Sequence, residues 1–198
     1  SLLATRLAHA VDADESAYTR LIVAAAKFWV CKRTPPMVAE ALECLGGNGY
    51  VEENGLARLY REAPLNSLWE GSGNVNALDV LRAVSREPLT VEALDNELTL
   101  ARGLDPRLDL AIDECLSALT AAGKTAADPA TAQLGARRLV ERAAVTTQAA
   151  LVVRYSPPVV ADAFLASRLG GGHGHTFGTI DGLTSAQARR IVDRASAL

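Results

Sequence analysis

The stretch ECLGGNGYVEENGLARLYREAPLNSLWEGSGN, Glu43 to Asn74, decides how the rest of the chain is read. It sets a glycine cluster, a short Arg-bearing segment and Glu70, flanked by Trp69 and Gly71, within a span that two short helices and two loops can fold into one pocket wall. Gly46 and Gly47 suit the positive φ of a helix C-terminus. Leu56 to Ala63 holds helix formers for about two turns, and Pro64 closes them. The run GSGN, Gly71 to Asn74, opens a helical stripe through Val75, Leu78, Leu81 and Val84. Glu70 therefore sits just before a helix N-terminus.

Upstream, AYTRLIVAAAKFWVCKR is apolar around most of its circumference, which predicts a buried helix with Ser16 as its N-cap. Thr34, Pro35 and Pro36 predict the end of that helix and the start of another, carrying Val38, Leu42 and Leu45 up to the glycine pair. The opening SLLATRLAHAV reads as the interior of a helical pattern, so the expectation is a segment of a longer chain. Downstream of a boundary near Arg86 to Pro88, capped helices follow one another. Thr90 heads a pattern through Leu94 and Leu98. Asp105–Pro106 caps one with Leu108, Ile112, Cys115 and Leu119 on a face, and Asp128–Pro129 caps a long one through Leu139, Val140 and Leu151. Pro157 and Pro158 start a fourth, GGGHGH interrupts, and Thr184 with Gln187 forms a capping box for a last helix to Ala197.

The chain has 198 residues, 49% of them hydrophobic and 5% aromatic, with short β-branched runs. That composition predicts an all-α fold. A net charge of −3 gives no global attraction to nucleic acid or an acidic membrane. The run Leu21 to Val30 is broken by Lys27 and falls short of the roughly 20 apolar residues of a membrane span. Cys31, Cys44 and Cys115 are too scattered for a disulfide framework, which points to a reducing cytoplasm.

Glu43 to Asn74, now with its surroundings, resembles the acyl-CoA dehydrogenase family. The resemblance rests on the glycine turn LGGNGY, the Arg61–Glu62 pair and the step Glu70, Gly71, Ser72, in that order and spacing. The longer run REAPLNSLWEGSGNVNALDVLRA, and RLGGGHGHTFGTI near the end, are similar to the AidB branch. The resemblance implies that residues 1–87 are an incomplete C-terminal four-helix-bundle domain and 88–198 a helical extension. It implies α,β-dehydrogenation of a short or branched acyl-CoA, with Glu70 as catalytic base and FAD as hydride acceptor. Trp69, Gly71, Ser72, Gly73 and Asn74 would contact FAD, and Gly46 and Gly47 would meet the flavin of a neighbouring subunit in a homotetramer. Because the family's isoalloxazine site is completed by a middle domain, the segment alone is expected to hold FAD weakly or not at all and to be inactive.

The residues also admit plainer roles. Glu70 is equally a solvated acid at a helix start, where the dipole favours it. Ser72 to Asn74 read as an ordinary N-cap or as phosphate-facing N–H groups. Gly46 and Gly47 lack the strand and third glycine of a dinucleotide fingerprint. Where many family members carry Gln before the turn, this chain has Glu43. His173 and His175 lie in a glycine loop without the Cys or carboxylate partners of a metal site. Arg137, Arg138 and Arg142, with Arg189, Arg190 and Arg194, raise double-stranded DNA as a partner of the extension. Residues 88 to 198 hold eleven Lys plus Arg against twelve Asp plus Glu, however, which is no basic footprint.

Overall fold

The structure, a computed structural model, describes residues 1–124, 129–171 and 174–196. Asp128, His173 and Ala197 lie outside the described residues. The chain is all-α. It begins with α1 (Leu2–Asp12) and α2 (Ser16–Cys44), followed by the single turn α3 (Gly47–Tyr50), a 3₁₀ turn at Glu52–Asn54 and α4 (Leu56–Glu62). A second 3₁₀ turn at Ala63–Ser67 leads to α5 (Gly73–Arg86), α6 (Leu89–Thr99) and α7 (Pro106–Lys124). Then come α8 (Pro129–Tyr155), α9 (Pro158–Arg168) and α10 (Ser185–Ser196).

The expected break at Pro35 and Pro36 does not occur. Both prolines lie inside the 29-residue α2, and Ser16 is its first helical residue, with Glu15 in the cap position. Two prolines remove the N–H groups that would bond the carbonyls of Cys31 and Lys32. From Cys31 to Cys44 no residue of α2 is fully buried, so water can serve those carbonyls, and the Thr34 hydroxyl donates to the Val30 carbonyl at 2.8 Å. The helix continues because the loss falls on a solvated stretch.

The N-terminal half of α2 is the opposite case. Leu21, Ile22, Ala25 and Phe28 are buried against Ala77, Val80 and Ala83 of α5 and against α6 and α8. The predicted face of α7, Leu108, Ile112, Cys115 and Leu119, is wholly buried, and burial pushes the Cys115 thiol up to about 12. Val140, Ala143, Ala144 and Leu151 of α8 join the same cluster, so one core draws on residues before and after position 88. Helix ends follow their local chemistry. Asp105 Oδ1 accepts from the Arg107 backbone N–H at 2.8 Å, and Thr184 and Gln187 bond reciprocally at 2.9 and 3.3 Å.

A buried ionic cluster crosses this core. Glu97 of α6, 6% exposed, accepts from Arg6 of α1 at 2.9 Å and from Arg154 of α8 at 2.8 Å. Arg6 also pairs with Glu15 and lies 4.3 Å from the centre of the Tyr18 ring. Burial, reinforced by Glu97, holds the Tyr18 phenol above its ordinary range. A carboxylate shared by two guanidiniums ties α1, α6 and α8 together, and removing it leaves Arg154 without a carboxylate and Arg6 with Glu15 alone. Glu97→Gln is expected to lower stability by about 3–5 kcal/mol in urea unfolding. Arg61→Ala, which removes a pair whose side chains are 58% and 68% exposed, should leave the urea midpoint close to that of the unaltered chain.

Candidate functional site

The turn between the second 3₁₀ segment and α5 carries Glu70 in a left-handed conformation, φ 51°, followed by Gly71 at φ 98°. A non-glycine residue there costs roughly 1–2 kcal/mol and persists only where the surroundings hold it. Two side chains do so. Lys27, from the buried half of α2, donates from Nζ to the carbonyls of Asn66, Trp69 and Gly71, each at 3.0 Å. Asn76, in the first turns of α5, donates from Nδ2 to the Gly71 carbonyl at 2.7 Å and the Ser72 carbonyl at 3.0 Å. Neither residue stands out in the sequence as part of a site. The one available signal is a lone charge inside the apolar run Leu21 to Val30.

The Glu70 side chain is exposed, next to a Trp69 ring that is 56% exposed and a Leu68 that is 67% exposed. Ser72 is the N-cap of α5, and its side chain makes no capping bond. Gly73 is buried, and a Cβ built there would lie 2.6 Å from Lys32 Cε, 3.3 Å from Lys32 Nζ and 3.7 Å from Arg137 Nη2. The start of α5 thus combines uncapped N–H groups with two cations. That combination fits a phosphate-bearing ligand. Asn74 lines a groove of about 520 Å³ together with Leu78, Leu134 and Arg137.

Gly46 and Gly47 stand elsewhere. Gly46 takes φ 57°, as expected of a glycine after a helix, whereas Gly47 opens α3 instead of ending α2. Cys44 lies seventeen positions beyond Lys27 on α2, about 25 Å of helix. The glycine turn and Glu70 are therefore not one pocket wall of one chain. The continuous α2 is the reason. Chain reversal at the glycine turn depends on Gly49, where a Cβ would lie 2.2 Å from the Leu42 carbonyl oxygen. Arg61 and Glu62 do not pair with each other either. Arg61 forms a two-pronged bond to Glu52 at 2.6 and 2.9 Å, which holds the Glu52 carboxyl below its usual range, while Glu62 pairs with Arg58 at 3.0 Å.

The arginines of the extension face different ways. Arg137 turns toward Phe28 and Gly73, while Arg138 and Arg142 line a groove of about 370 Å³ with Arg107 and Arg168, interleaved with Glu114 and Glu141. Arg33 of α2 lies 4.8 Å from the ring of Phe177, in the segment before α10. Among the described residues, no group of three or more His, Cys, Asp or Glu is arranged to hold a metal ion, and no helix is long and apolar enough to cross a membrane.

Residues 1–85 match the family model described as acyl-CoA dehydrogenase, C-terminal domain. These residues are a C-terminal domain of the acyl-CoA dehydrogenase family. The chain is 50% identical over 101 residues to the putative acyl-CoA dehydrogenase AidB of Escherichia coli, which covers 51% of this chain and 19% of AidB. It is 46% identical over 71 residues to acyl-CoA dehydrogenase family member 11 of Caenorhabditis elegans, covering 36% of this chain and 12% of that protein. The crystal structure of Caenorhabditis elegans ACDH-11 in complex with C11-CoA superposes with a TM-score of 0.66 at 28% identity, over 99% of this chain and 37% of that one. That likeness also takes in the residues past 85. The chain spans about a fifth or less of the length of these two curated relatives.

Two glycine substitutions separate backbone need from side-chain crowding in this acyl-CoA dehydrogenase domain. Gly49→Ala meets a backbone oxygen and is expected to destabilise by about 1–3 kcal/mol. Gly73→Ala meets the far end of a flexible Lys32 and should cost clearly less; thermal unfolding of the two variants side by side checks the order.

Proposed function

We propose that this chain supplies the catalytic base and one wall of the flavin site of an FAD-dependent acyl-CoA dehydrogenase, AidB-like, acting on a short or branched acyl-CoA. The observation that carries the reading is Glu70 itself: an exposed carboxylate in a left-handed turn, fastened through both flanking carbonyls and set beside an exposed indole. Forming an α,β double bond next to a thioester carbonyl requires removal of the acidic α-proton and of a hydride from the β-carbon. Glu70 takes the α-proton. No side chain accepts hydride, and FAD supplies that chemistry when bound.

The chain's own residues account for the rest of this wall. Trp69 offers a flat apolar face to the ring system, and the uncapped start of α5 with Lys32 and Arg137 suits the pyrophosphate. Gly71, at φ 98° and with Asn76 Nδ2 3.3 Å from where a Cβ would lie, lets the chain turn from Glu70 into α5. Gly46 and Gly47, far along α2, serve the flavin of a neighbouring subunit in a homotetramer, and their distance from Glu70 agrees with a site shared between copies. In the complete polypeptide, Glu70→Gln is expected to slow flavin bleaching by isovaleryl-CoA at least about 100-fold while bound FAD is retained. Bleaching at the original rate would remove Glu70 from the reaction.

A further inference from the structure

An ammonium group has three N–H donors, and those of Lys27 are all committed to backbone carbonyls. A lysine on α2 that served only to end the 3₁₀ turn would need the Asn66 carbonyl alone. The other two acceptors, Trp69 and Gly71, are the residues on either side of Glu70. The peptide that enters Glu70 and the one that leaves Gly71 are therefore both drawn toward one point on α2, and the acid itself emerges on the exposed side. Lys27 pairs with no carboxylate among the described residues, so its full charge acts on these carbonyls. Asn76 completes the arrangement. Its amide takes the second lone pair of the Gly71 carbonyl and the carbonyl of Ser72, fixing the same peptide from the α5 side.

We propose that Lys27 and Asn76 are positioning residues for the dehydrogenation, setting the left-handed turn that aims Glu70 without touching substrate themselves. The proposal rests on the reading of Glu70 as the base. It assigns the aim of the carboxylate to a helix that is locked in the core by Leu21, Ile22, Ala25 and Phe28, so the turn inherits the rigidity of the bundle. The Lys27 contacts also explain why a single charge is kept on an otherwise apolar stretch of α2.

The test uses the complete, flavin-loaded protein with Lys27→Met, which keeps the length of the stem and removes the charge and the donors. Hydrogen exchange of a peptide spanning 66–72 is read alongside the kinetics of acyl-CoA oxidation. Exchange in that peptide is expected to rise about tenfold or more, while α5 and α7 keep their protection. The kcat for isovaleryl-CoA should fall about 100-fold, as for a misplaced catalytic group, with KM and flavin content little changed. Lys27→Cys treated with bromoethylamine rebuilds an ammonium of nearly the same reach and should restore both readouts, judged against wild-type protein treated identically. Unchanged exchange in 66–72, or an unchanged kcat in an active enzyme, overturns the proposal. A kcat loss that merely tracks lost flavin overturns it as well. If Lys27→Met does not fold, Asn76→Ala is measured in its place, and the same two shifts or their absence decide. Should the unmodified protein not bleach with isovaleryl-CoA, the dehydrogenase reading fails, and the exchange of 66–72 alone then supports or overturns the clamp.

Discussion

A helix of 29 residues that does not break at two consecutive prolines is the constraint on which the arrangement depends. Its length, about 43 Å, fixes how far apart the elements along it can be. The buried N-terminal half anchors Lys27 against α5, α6 and α8, and the solvated half carries the chain out to the glycine turn. Had the helix ended at Thr34, Gly46 and Gly47 could have folded back beside Glu70 and made a single cleft. Because it continues, the glycine turn and the Glu70 turn lie apart, each with exposed apolar side chains around it: Tyr50 and Leu45 at one end, Leu68 and Trp69 at the other.

The polar groups that matter fall into two kinds with different energetics. Glu97 with Arg6 and Arg154 is a buried set in which each member is needed because the others have been taken from water. It links α1, α6 and α8 and makes residues beyond 88 part of the packing of the earlier helices. Lys27 with its three carbonyls is half-buried and neutralises nothing. Its effect is conformational, since its bonds to the carbonyls of Trp69 and Gly71 brace the turn in which Glu70 takes φ 51°. The first kind keeps the bundle together, and the second uses the bundle to shape a turn.

Much of the fold was legible from local chemistry. The face Leu108, Ile112, Cys115 and Leu119 is buried as its spacing predicts, Asp105 caps α7, and the Thr184–Gln187 box closes as drawn. Those features depend on neighbours three or four residues away, which a sequence displays directly. Pro35 and Pro36 depart from the local rule because solvent can satisfy the carbonyls they free. The need for glycine at Gly49 arises from the Leu42 carbonyl seven residues back, across a reversal that spacing alone does not define. Lys27 and Asn76 carry no signature in the sequence because their acceptors are backbone oxygens, which every residue has and no motif marks. Arg61 and Glu62 look like a pair in the sequence, yet each finds its partner on another turn.

The claim that matters most is that Glu70 removes a proton next to a thioester carbonyl, and it can be read apart from any redox step. The complete flavoprotein is placed in deuterated buffer with a 3-thia acyl-CoA, whose sulfur at the β-position cannot give up hydride, and deuterium at the α-carbon is followed by NMR. The account predicts α-exchange catalysed by the protein and abolished by Glu70→Gln. Absence of exchange in the unmodified protein, or equal exchange in the Gln variant, would contradict it.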